Sequence, residues 1–200
     1  MNIKEGRSLL QETVVRNMPF CDEFIIVTKE SYRNIVNGQM KAFQSLKYRV
    51  VLEGSPKGTA AAIMLGSQFC NQSELVFVVT ADNLIEGQEY KDAILRAKEL
   101  AKQGSIVALG VKPAKKNSNF GYLLRDEENV LKFIEKIRLD DDESFGYDDG
   151  FLWNSGMFLY RAGDLINAAR AICPELYDTC RMAKRKVAAS AVPCVFRRRS

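Results

Sequence analysis

A carboxylate follows the most apolar run of the chain. Asp82 comes just after Leu75–Val79, within the segment Thr80–Asn83. If that run is a buried strand of an open α/β sheet, its carboxyl end lies at the edge where such sheets bind ligands. Because Mg²⁺ prefers carboxylate and phosphate oxygens, Asp82 could hold Mg²⁺ against a phosphate group. The alternative is a turn or helix N-cap aspartate, which is the commoner role for a lone aspartate.

A loop containing glycine and proline lies between another apolar run and an Ala-rich segment. It covers residues Leu52–Ala60 and includes Gly58, Thr59 and Ala60. The backbone N–H groups of such a loop can approach a ligand closely at the start of a helix. The loop lacks the spacing of a P-loop. By itself it is therefore only a weak indication of a ligand-binding site.

Three polar residues farther along the chain are more informative in combination. Glu135 could accept hydrogen bonds from sugar hydroxyls, and Lys136 could neutralise a phosphate. Asn154 lies within the apolar run Phe151–Tyr160 and needs hydrogen-bond partners if it is buried. A polar ligand would supply those partners. The alternatives are an exposed strand end for the first two residues and a structural hydrogen bond for Asn154.

The composition excludes several kinds of site and membrane segment. The chain has 200 residues and no histidine, so it contains no Ser-His-Asp or Cys-His system and no Cys/His zinc site. Its 5 cysteines form no Cys-x-x-Cys pair, which favours a reduced, cytoplasmic protein. No apolar run approaches the ~20 residues of a membrane span, and the first residues lack a signal peptide's apolar stretch. We therefore expect a soluble cytoplasmic protein without a membrane partner.

The positive charge is concentrated at the end of the chain. The net charge is +4, yet every charged residue from Arg181 onward is basic. Residues 1–180 are consequently slightly acidic. No aromatic residues interleave with the basic ones as a stacking platform, which argues against a nucleic-acid partner. We expect an α/β domain over residues 1–180 and a basic, disordered tail over residues 181–200.

Apolar runs alternate with helical segments through most of the chain. The runs lack polar alternation, which is typical of strands covered on both faces, as in a parallel sheet. Ser8–Gln11 matches a capping box, and residues 126–129 match a hairpin turn. The sequence thus predicts an α/β fold with a mostly parallel open sheet, flanking helices and an added hairpin. The predicted strands are Phe24–Val27, Arg49–Leu52, Leu75–Val79, Ile106–Leu109 and Phe151–Tyr160, and the predicted helices include Thr59–Phe69, Gln88–Gln103 and Ala162–Ile172.

The order of these pieces resembles the mannose-1-phosphate guanylyltransferase family of the sugar-phosphate nucleotidyltransferases. The resemblance extends in register from about Ser8 to Leu176, and the run Trp153–Phe158 is its most specific part. The ordered set of segments is much stronger evidence for the resemblance than any single segment. The matching segments are Ser8–Arg16, Ile26–Thr28, Gly58–Ile63, Ala81–Asp82, Phe120–Tyr122, Phe133–Lys136, Trp153–Phe158 and Pro174–Leu176.

The resemblance implies a GT-A-like nucleotidyltransferase fold and the reaction of mannose 1-phosphate with GTP to give GDP-mannose and diphosphate. The attacking sugar phosphate is already an anion, so no histidine base is needed. The implied roles are Mg²⁺ binding by Asp82, sugar binding by Gly121, Glu135 and Asn154, contact of Lys136 with the sugar phosphate, and a nucleotide-base pocket lined by Gly58, Thr59 and Ala60. Asp82 and Lys136 would be the catalytic residues.

The chain departs from the family pattern near both ends. The family's Gly-x-Gly-Thr-Arg loop, which cradles the triphosphate, and the strand before it have no counterpart in the residues before Ser8. A second metal-binding aspartate has no candidate after Tyr177, and Asn83 replaces the usual histidine. We expect a chain truncated at both ends, with little or no turnover and with poor folding when it is alone.

Two other interpretations stay open. One is a catalytically inactive sugar-nucleotide-binding or regulatory subunit, which would associate with a second copy or with an intact relative. The other is a nucleotidyltransferase for another hexose phosphate. Mg²⁺-dependent release of diphosphate would separate an active enzyme from the inactive alternatives.

Overall fold

The computed structural model describes residues 2–4, 6–54, 58–114, 120–135 and 150–190. The strands are β1 (Asn2–Lys4), β2 (Arg7–Ser8), β3 (Phe24–Lys29), β4 (Tyr48–Glu53), β5 (Leu75–Val78), β6 (Val107–Val111), β7 (Tyr122–Asp126), β8 (Asn129–Ile134) and β9 (Phe151–Arg161). The helices are α1 (Leu9–Asn17), α2 (Arg33–Met40), α3 (Thr59–Ser67), α4 (Gln88–Lys102), α5 (Ala162–Ile172) and α6 (Pro174–Ser190), with a short 3-10 helix at Glu30–Tyr32. The predicted strands and helices are confirmed to within a residue or two. Within these described ranges, no helix is long and apolar enough to cross a bilayer.

Helix α1 begins where the capping-box pattern predicts. The Ser8 hydroxyl oxygen accepts a hydrogen bond from the Gln11 N–H at 3.2 Å, and Gln11 Oε1 accepts one from the Ser8 N–H at 3.0 Å. Both donors would otherwise be unsatisfied at the helix start. Ser8 Oγ also donates to Gln39 Oε1 at 2.8 Å, which holds α1 against α2.

We expect the substitution Ser8→Ala to lower the free energy of unfolding by about 1–2 kcal/mol, because it removes the cap and the contact with Gln39. Urea denaturation measures this change. Ser105→Ala is the matched control, since Ser105 is exposed after α4 and its substitution should cost less than about 0.5 kcal/mol. Equal losses in the two variants would contradict a specific role for the cap.

The described strands form three separate sheets. Strands β1 and β2 form one pair, β3 and β4 form another, and the remaining strands form a five-stranded sheet in the order β5-β9-β7-β8, with β6 also paired to β9. The predicted α/β class with open sheets is confirmed. The expected mostly parallel arrangement is corrected: β3 and β4 are parallel, whereas β9 is antiparallel to β5, β6 and β7. A continuous apolar run reports burial on two faces and carries no information about strand direction.

Helices cover both faces of the β3–β4 pair. Ile25 and Val27 of β3 pack toward α3 and α6, while Phe24 and Ile26 pack toward α1 and α2. Successive side chains of a strand point to opposite faces, so these two groups of helices lie on opposite sides. Helix α4 packs against the five-stranded sheet. The buried residues of that core are Ile94, Ala97, Ala101, Leu109, Met157 and Leu159.

Strands β3 and β5 each have one edge that pairs with no other described strand. The residues of β5, and those of β3 up to Thr28, are half-buried rather than fully buried. Helix α3 bridges the two sheets instead. A Cβ added at Gly66 would lie 3.2 Å from Val27 of β3, and Ser67 Oγ lies 2.8 Å from the Tyr160 hydroxyl of β9. Side-chain contacts through this helix therefore join the two sheets on this side.

Helix α6 continues across the boundary predicted at residue 180. Cys180 is buried and its Sγ lies 3.6 Å from the Ala61 carbonyl oxygen, and Lys184 Nζ donates to the Gln68 carbonyl. The stripe of Leu176, Cys180 and Ala183 packs into the same core as α3, and this helical spacing explains the continuation. Residue 180 is thus not an element boundary, and residues 191–200 lie outside the described residues.

Candidate functional site

The strand register brings together the three residues implied in sugar binding. Tyr122, the first residue of β7, pairs with the last residue of β8 and with Trp153 of β9. Because both neighbours are antiparallel to β7, the residues just beyond these pairs lie side by side. They are Gly121, Glu135 and Asn154. The Asn154 N–H donates to the Gly121 carbonyl at 2.8 Å, which fixes this junction.

A bulge in β9 shapes the segment that carries Asn154. Strand β6 pairs with Met157 and, one residue farther along, with Asn154, so that Ser155 and Gly156 are extra residues in β9. Gly156 has a φ of 72°, which favours glycine. The Asn154 Oδ1 accepts from the Gly156 N–H at 3.1 Å, and Ser155 Oγ accepts from the Met157 N–H at 3.2 Å. The Asn-Ser-Gly sequence thus supplies both the flexibility and the hydrogen bonds of the bulge.

Asn154 combines a structural group with a group able to bind a ligand. The structural hydrogen bond considered as its alternative role is present, through Oδ1 to Gly156. The amide Nδ2 takes part in no hydrogen bond among the described residues, and the residue is only half-buried. The Nδ2 group is therefore the donor that a ligand could use.

Asp82 lies in an exposed turn that is attached to the bulge. Strand β5 pairs with β9 in a register that directs its carboxyl end toward Ser155. The Asn83 Nδ2 donates to Thr80 Oγ1 at 2.6 Å and to the Ser155 carbonyl at 3.1 Å. The Asp82 carboxylate makes no ion pair or hydrogen bond within the described ranges. The turn thus presents an unpaired carboxylate beside the sugar-binding candidates.

Arg16 of α1 contacts the same turn from the opposite side. Its Nη1 donates to the Asn83 carbonyl at 3.1 Å, and its Nη2 donates to Thr13 Oγ1 at 3.2 Å. The guanidinium carbon lies 5.6 Å from the centre of the Tyr90 ring. We assigned no role to Arg16 from the sequence. The 67 residues that separate it from Asn83 leave no local signal for this contact.

An aromatic pair borders the junction of β7 and β9. The ring centres of Phe120 and Trp153 are 5.0 Å apart, and the planes are inclined by 33°. The Trp153 Nε1 is buried and has no hydrogen-bond partner among the described atoms. The two rings form an apolar surface, and they belong to the residues directly before Gly121 and Asn154 in the chain. Both residues belong to matched segments, which was the available sequence signal for them.

The residues implied in nucleotide binding lie in a different element, at the start of α3. Gly58, Thr59 and Ala60 are exposed at the start of α3, where Gly58 has a φ of 88°. The hydrogen bonds described above do not include them. Lys136 lies outside the described residues, so its contact with the sugar phosphate stays a prediction.

The described carboxylates permit one mode of Mg²⁺ binding. In the described part of the chain, no three His, Cys, Asp or Glu side chains form a group that could hold a metal ion. A site supplied wholly by the protein is therefore not built there. Mg²⁺ commonly keeps several waters and binds one or two carboxylates together with substrate phosphates. The exposed, unpaired Asp82 carboxylate fits that mode.

Comparisons with known sequences identify relatives over most of the chain. Residues 1–194 match the profile of the nucleotidyl transferase family. A mannose-1-phosphate guanylyltransferase of Salmonella muenchen is 30% identical in an alignment 187 positions long that covers 86% of this chain and 39% of that protein. A second from Salmonella typhimurium is 30% identical in an alignment 194 positions long that covers 90% of this chain and 40% of that protein. The chain thus spans about two fifths of the length of these relatives.

Solved structures share the fold. A crystal structure described as mannose-6-phosphate isomerase from Helicobacter pylori has a TM-score of 0.86 and 31% identity, and the match covers 92% of this chain and 73% of that one. A structure described as mannose-1-phosphate geranyltransferase from Thermus thermophilus has a TM-score of 0.73 and 22% identity, and the match covers 96% and 57%; this likeness concerns the fold alone. The resemblance seen in the sequence is confirmed at the level of the family. The chain belongs to the nucleotidyl transferase family.

Proposed function

We propose that the chain binds mannose 1-phosphate and serves the Mg²⁺-dependent transfer of a GMP group from GTP, which forms GDP-mannose and diphosphate. One observation carries the proposal: the strand register sets Gly121, Glu135 and Asn154 side by side, and the turn of Asp82 is bonded to the same bulge. The named guanylyltransferase relatives support the choice of substrates. We also propose a cytoplasmic location, because the 5 cysteines form no Cys-x-x-Cys pair, which favours a reduced protein.

Each side chain of the site has a defined task in this proposal. Asn154 Nδ2 donates to a sugar hydroxyl, and the Glu135 carboxylate accepts from others. A sugar phosphate oxygen attacks the α-phosphorus of GTP, and the bond from that phosphorus to the β-phosphate oxygen breaks, so that diphosphate leaves. Mg²⁺, when bound at Asp82, supplies neutralising charge for the phosphates. Lys136 supplies further positive charge, and no protein group has to remove a proton.

The nucleotide would lie at the start of α3. The first N–H groups of a helix have no intrahelical partners, and they favour anionic or polar ligand atoms. Gly58, Thr59 and Ala60 are exposed at this position, after the carboxyl end of β4. Their exposure and the matched segment support a contact with the nucleotide base.

We also propose that turnover by this chain is impaired. Strands β1 and β2 pair directly before α1. The resembled family places its Gly-x-Gly-Thr-Arg phosphate loop in that position. Backbone N–H groups that bond a partner strand are not available to a triphosphate, and each lost donor to a developing charge costs about 10²–10³ in rate.

Calorimetric titration with mannose 1-phosphate and an assay for diphosphate release test the two parts of the proposal separately. We expect measurable binding and a turnover at least about 100-fold below that of an intact relative assayed in parallel. Glucose 1-phosphate serves as the competing sugar and should bind more weakly. Absence of binding would refute the proposed substrate, and turnover equal to that of the relative would refute the impairment.

A regulatory or partner subunit is the second candidate function. Strands β3 and β5 each have an edge that pairs with no described strand, and their half-buried apolar residues also favour this function. Unpaired strand edges promote association with another chain. Light scattering after size-exclusion chromatography, with and without an intact relative, tests this function. A stable monomer that does not bind the relative would exclude it.

A further inference from the structure

We propose that Asn83 is a positioning residue that sets the distance between the metal-binding carboxylate of Asp82 and the sugar-binding amide of Asn154. The inference rests on the proposed function, because it concerns the same reaction. Asn83 itself is not assigned to contact substrate or metal. It acts through its two neighbours, the turn that carries Asp82 and the bulge that carries Asn154.

The side-chain amide of Asn83 spans the two elements directly. Its Nδ2 donates to Thr80 Oγ1 at the end of β5 and to the Ser155 carbonyl in the bulge, at 2.6 and 3.1 Å. An amide nitrogen has two hydrogens, so both donors are used. The bulge is in turn anchored to β6, because Ser155 Oγ donates to the Leu109 carbonyl at 2.5 Å.

A second contact holds the turn from the side of α1. Arg16 Nη1 donates to the Asn83 backbone carbonyl, so the residue is held between α1 and the bulge. Asn83 is half-buried, whereas the adjacent Asp82 is exposed. The Asn83 amide therefore fixes the turn, and the carboxylate of the neighbouring residue is left available for a ligand.

In addition to these hydrogen bonds, the end of β5 and the bulge are in close van der Waals contact. A Cβ added at Gly156 would lie 3.0 Å from the Thr80 methyl carbon, which is tighter than most real contacts. The backbone of the bulge thus approaches the end of β5 as nearly as glycine permits. This packing limits the positions from which Asn83 can reach the Ser155 carbonyl.

The hydrogen bond between Asn83 and Ser155 lies between the two proposed ligand-binding residues. Asn83 is next to Asp82 in the chain, and Ser155 is next to Asn154. One hydrogen bond therefore connects the neighbours of the proposed metal ligand and the proposed sugar ligand. In-line transfer depends on the relative placement of the reacting groups, and a displacement of about 1 Å can cost about 100-fold in rate. We expect the bond to couple the binding of Mg²⁺ to that of the sugar phosphate.

The first test measures that coupling. Mannose 1-phosphate is titrated by calorimetry with and without Mg²⁺, and the ratio of the two affinities is the coupling factor. We expect a factor of about 10 in the wild type and close to 1 in Asn83→Ala, with the affinity in the absence of Mg²⁺ changed less than about twofold. Asn83→His retains a ring N–H donor and should restore part of the coupling.

Asn71→Ala is the matched control. Asn71 also makes side-chain hydrogen bonds within a turn, to Glu74, but that turn is exposed and precedes β5. Its substitution should lower the melting temperature without changing the coupling factor. A loss of stability in Asn83→Ala with unchanged coupling would assign Asn83 a purely structural role and overturn the proposal.

The second test needs no sugar and separates this inference from the proposed function. Mn²⁺ is added together with GTP, whose phosphates complete its coordination at Asp82. It broadens the amide NMR signals of nearby residues, so it reports how close the metal is to the bulge. We expect broadening at Ala81 and at Ser155–Met157 in the wild type, and loss of the broadening at Ser155–Met157 alone in Asn83→Ala. That result without any binding of mannose 1-phosphate would reject the proposed substrate and retain the positioning role. No broadening in the wild type, or identical broadening in both proteins, would reject the positioning role.

Discussion

Replacing Tyr160 with alanine is expected to lower the free energy of unfolding by about 3–5 kcal/mol, the usual cost of removing a buried aromatic ring. Tyr160 lies in β9 and is 1% exposed, which makes it one of the most buried large side chains of the chain. Its removal would leave a cavity where β9 packs on α3. Because a domain is stable by only about 5–15 kcal/mol, urea denaturation should show a large shift of the midpoint.

Tyr160→Phe separates the ring from its hydroxyl. The hydroxyl lies 2.8 Å from Ser67 Oγ, which also donates to the Ile63 carbonyl at 2.8 Å. Ser67 therefore keeps one partner in the variant, and we expect a loss of only about 1 kcal/mol. A loss as large as that of Tyr160→Ala would show that the hydrogen bond, rather than packing, holds β9 to α3.

The same residue makes stability depend on alkaline pH. Burial raises the pKa of Tyr160 above the ordinary tyrosine value of 10.0. In the unfolded chain the phenol loses its proton near that ordinary value, while the folded protein keeps it. The contribution of Tyr160 to stability is therefore complete below about pH 10 and declines as the pH rises above it.

Melting temperatures from pH 8 to 11 measure this effect, and Tyr160→Phe should show a shallower decline above about pH 10. Burial also raises the pKa of the thiols of Cys21 and Cys70, but these groups are unchanged between the two proteins. They contribute equally to both curves. Parallel curves above pH 10 would contradict the role assigned to the Tyr160 phenol.

The local elements were predictable because their signals lie within a few residues. The capping box at Ser8 and Gln11 is a pairing across one helical turn, and the hairpin at residues 126–129 is a polar turn between two apolar runs. Burial on two faces was equally visible in β3, where helices cover both sides. Strand direction was not, because it depends on how distant segments pair. The insertion of β9 between β5 and β6 is therefore absent from any local pattern.

In the candidate site, too, individual residues could be predicted from the sequence, whereas their spatial arrangement could not. Asn154, Glu135 and Gly121 could be named from their types and from matched segments, yet their adjacency depends on the register of three strands. In the bulge, Oδ1 of Asn154 makes a structural hydrogen bond while its Nδ2 is left for the proposed ligand, so the two roles that the sequence presented as alternatives are compatible. Arg16 belongs to the matched segment Ser8–Arg16, but its contact with the Asp82 turn could not be predicted, because that contact is made by the tertiary structure.

Replacing Asn154 with aspartate should weaken the binding of mannose 1-phosphate by about 10- to 100-fold and leave the fold intact. A carboxylate oxygen can still accept the Gly156 N–H hydrogen bond, which is 3.1 Å long in the wild type, so the bulge is preserved. The other oxygen replaces the Nδ2 donor. It cannot donate to a sugar hydroxyl when ionised, and its negative charge repels the sugar phosphate.

Asn154→Ala provides the comparison that makes this result specific. Alanine removes the donor and also the Oδ1 acceptor, so this variant should lose affinity and melt at a lower temperature. The aspartate variant should lose affinity while its melting temperature stays within about 2 °C of the wild type. Calorimetry and thermal denaturation on the three proteins measure both quantities. Wild-type affinity in Asn154→Asp would show that the Nδ2 group does not bind the sugar, whereas a large fall in its melting temperature would show that the bulge requires the amide itself.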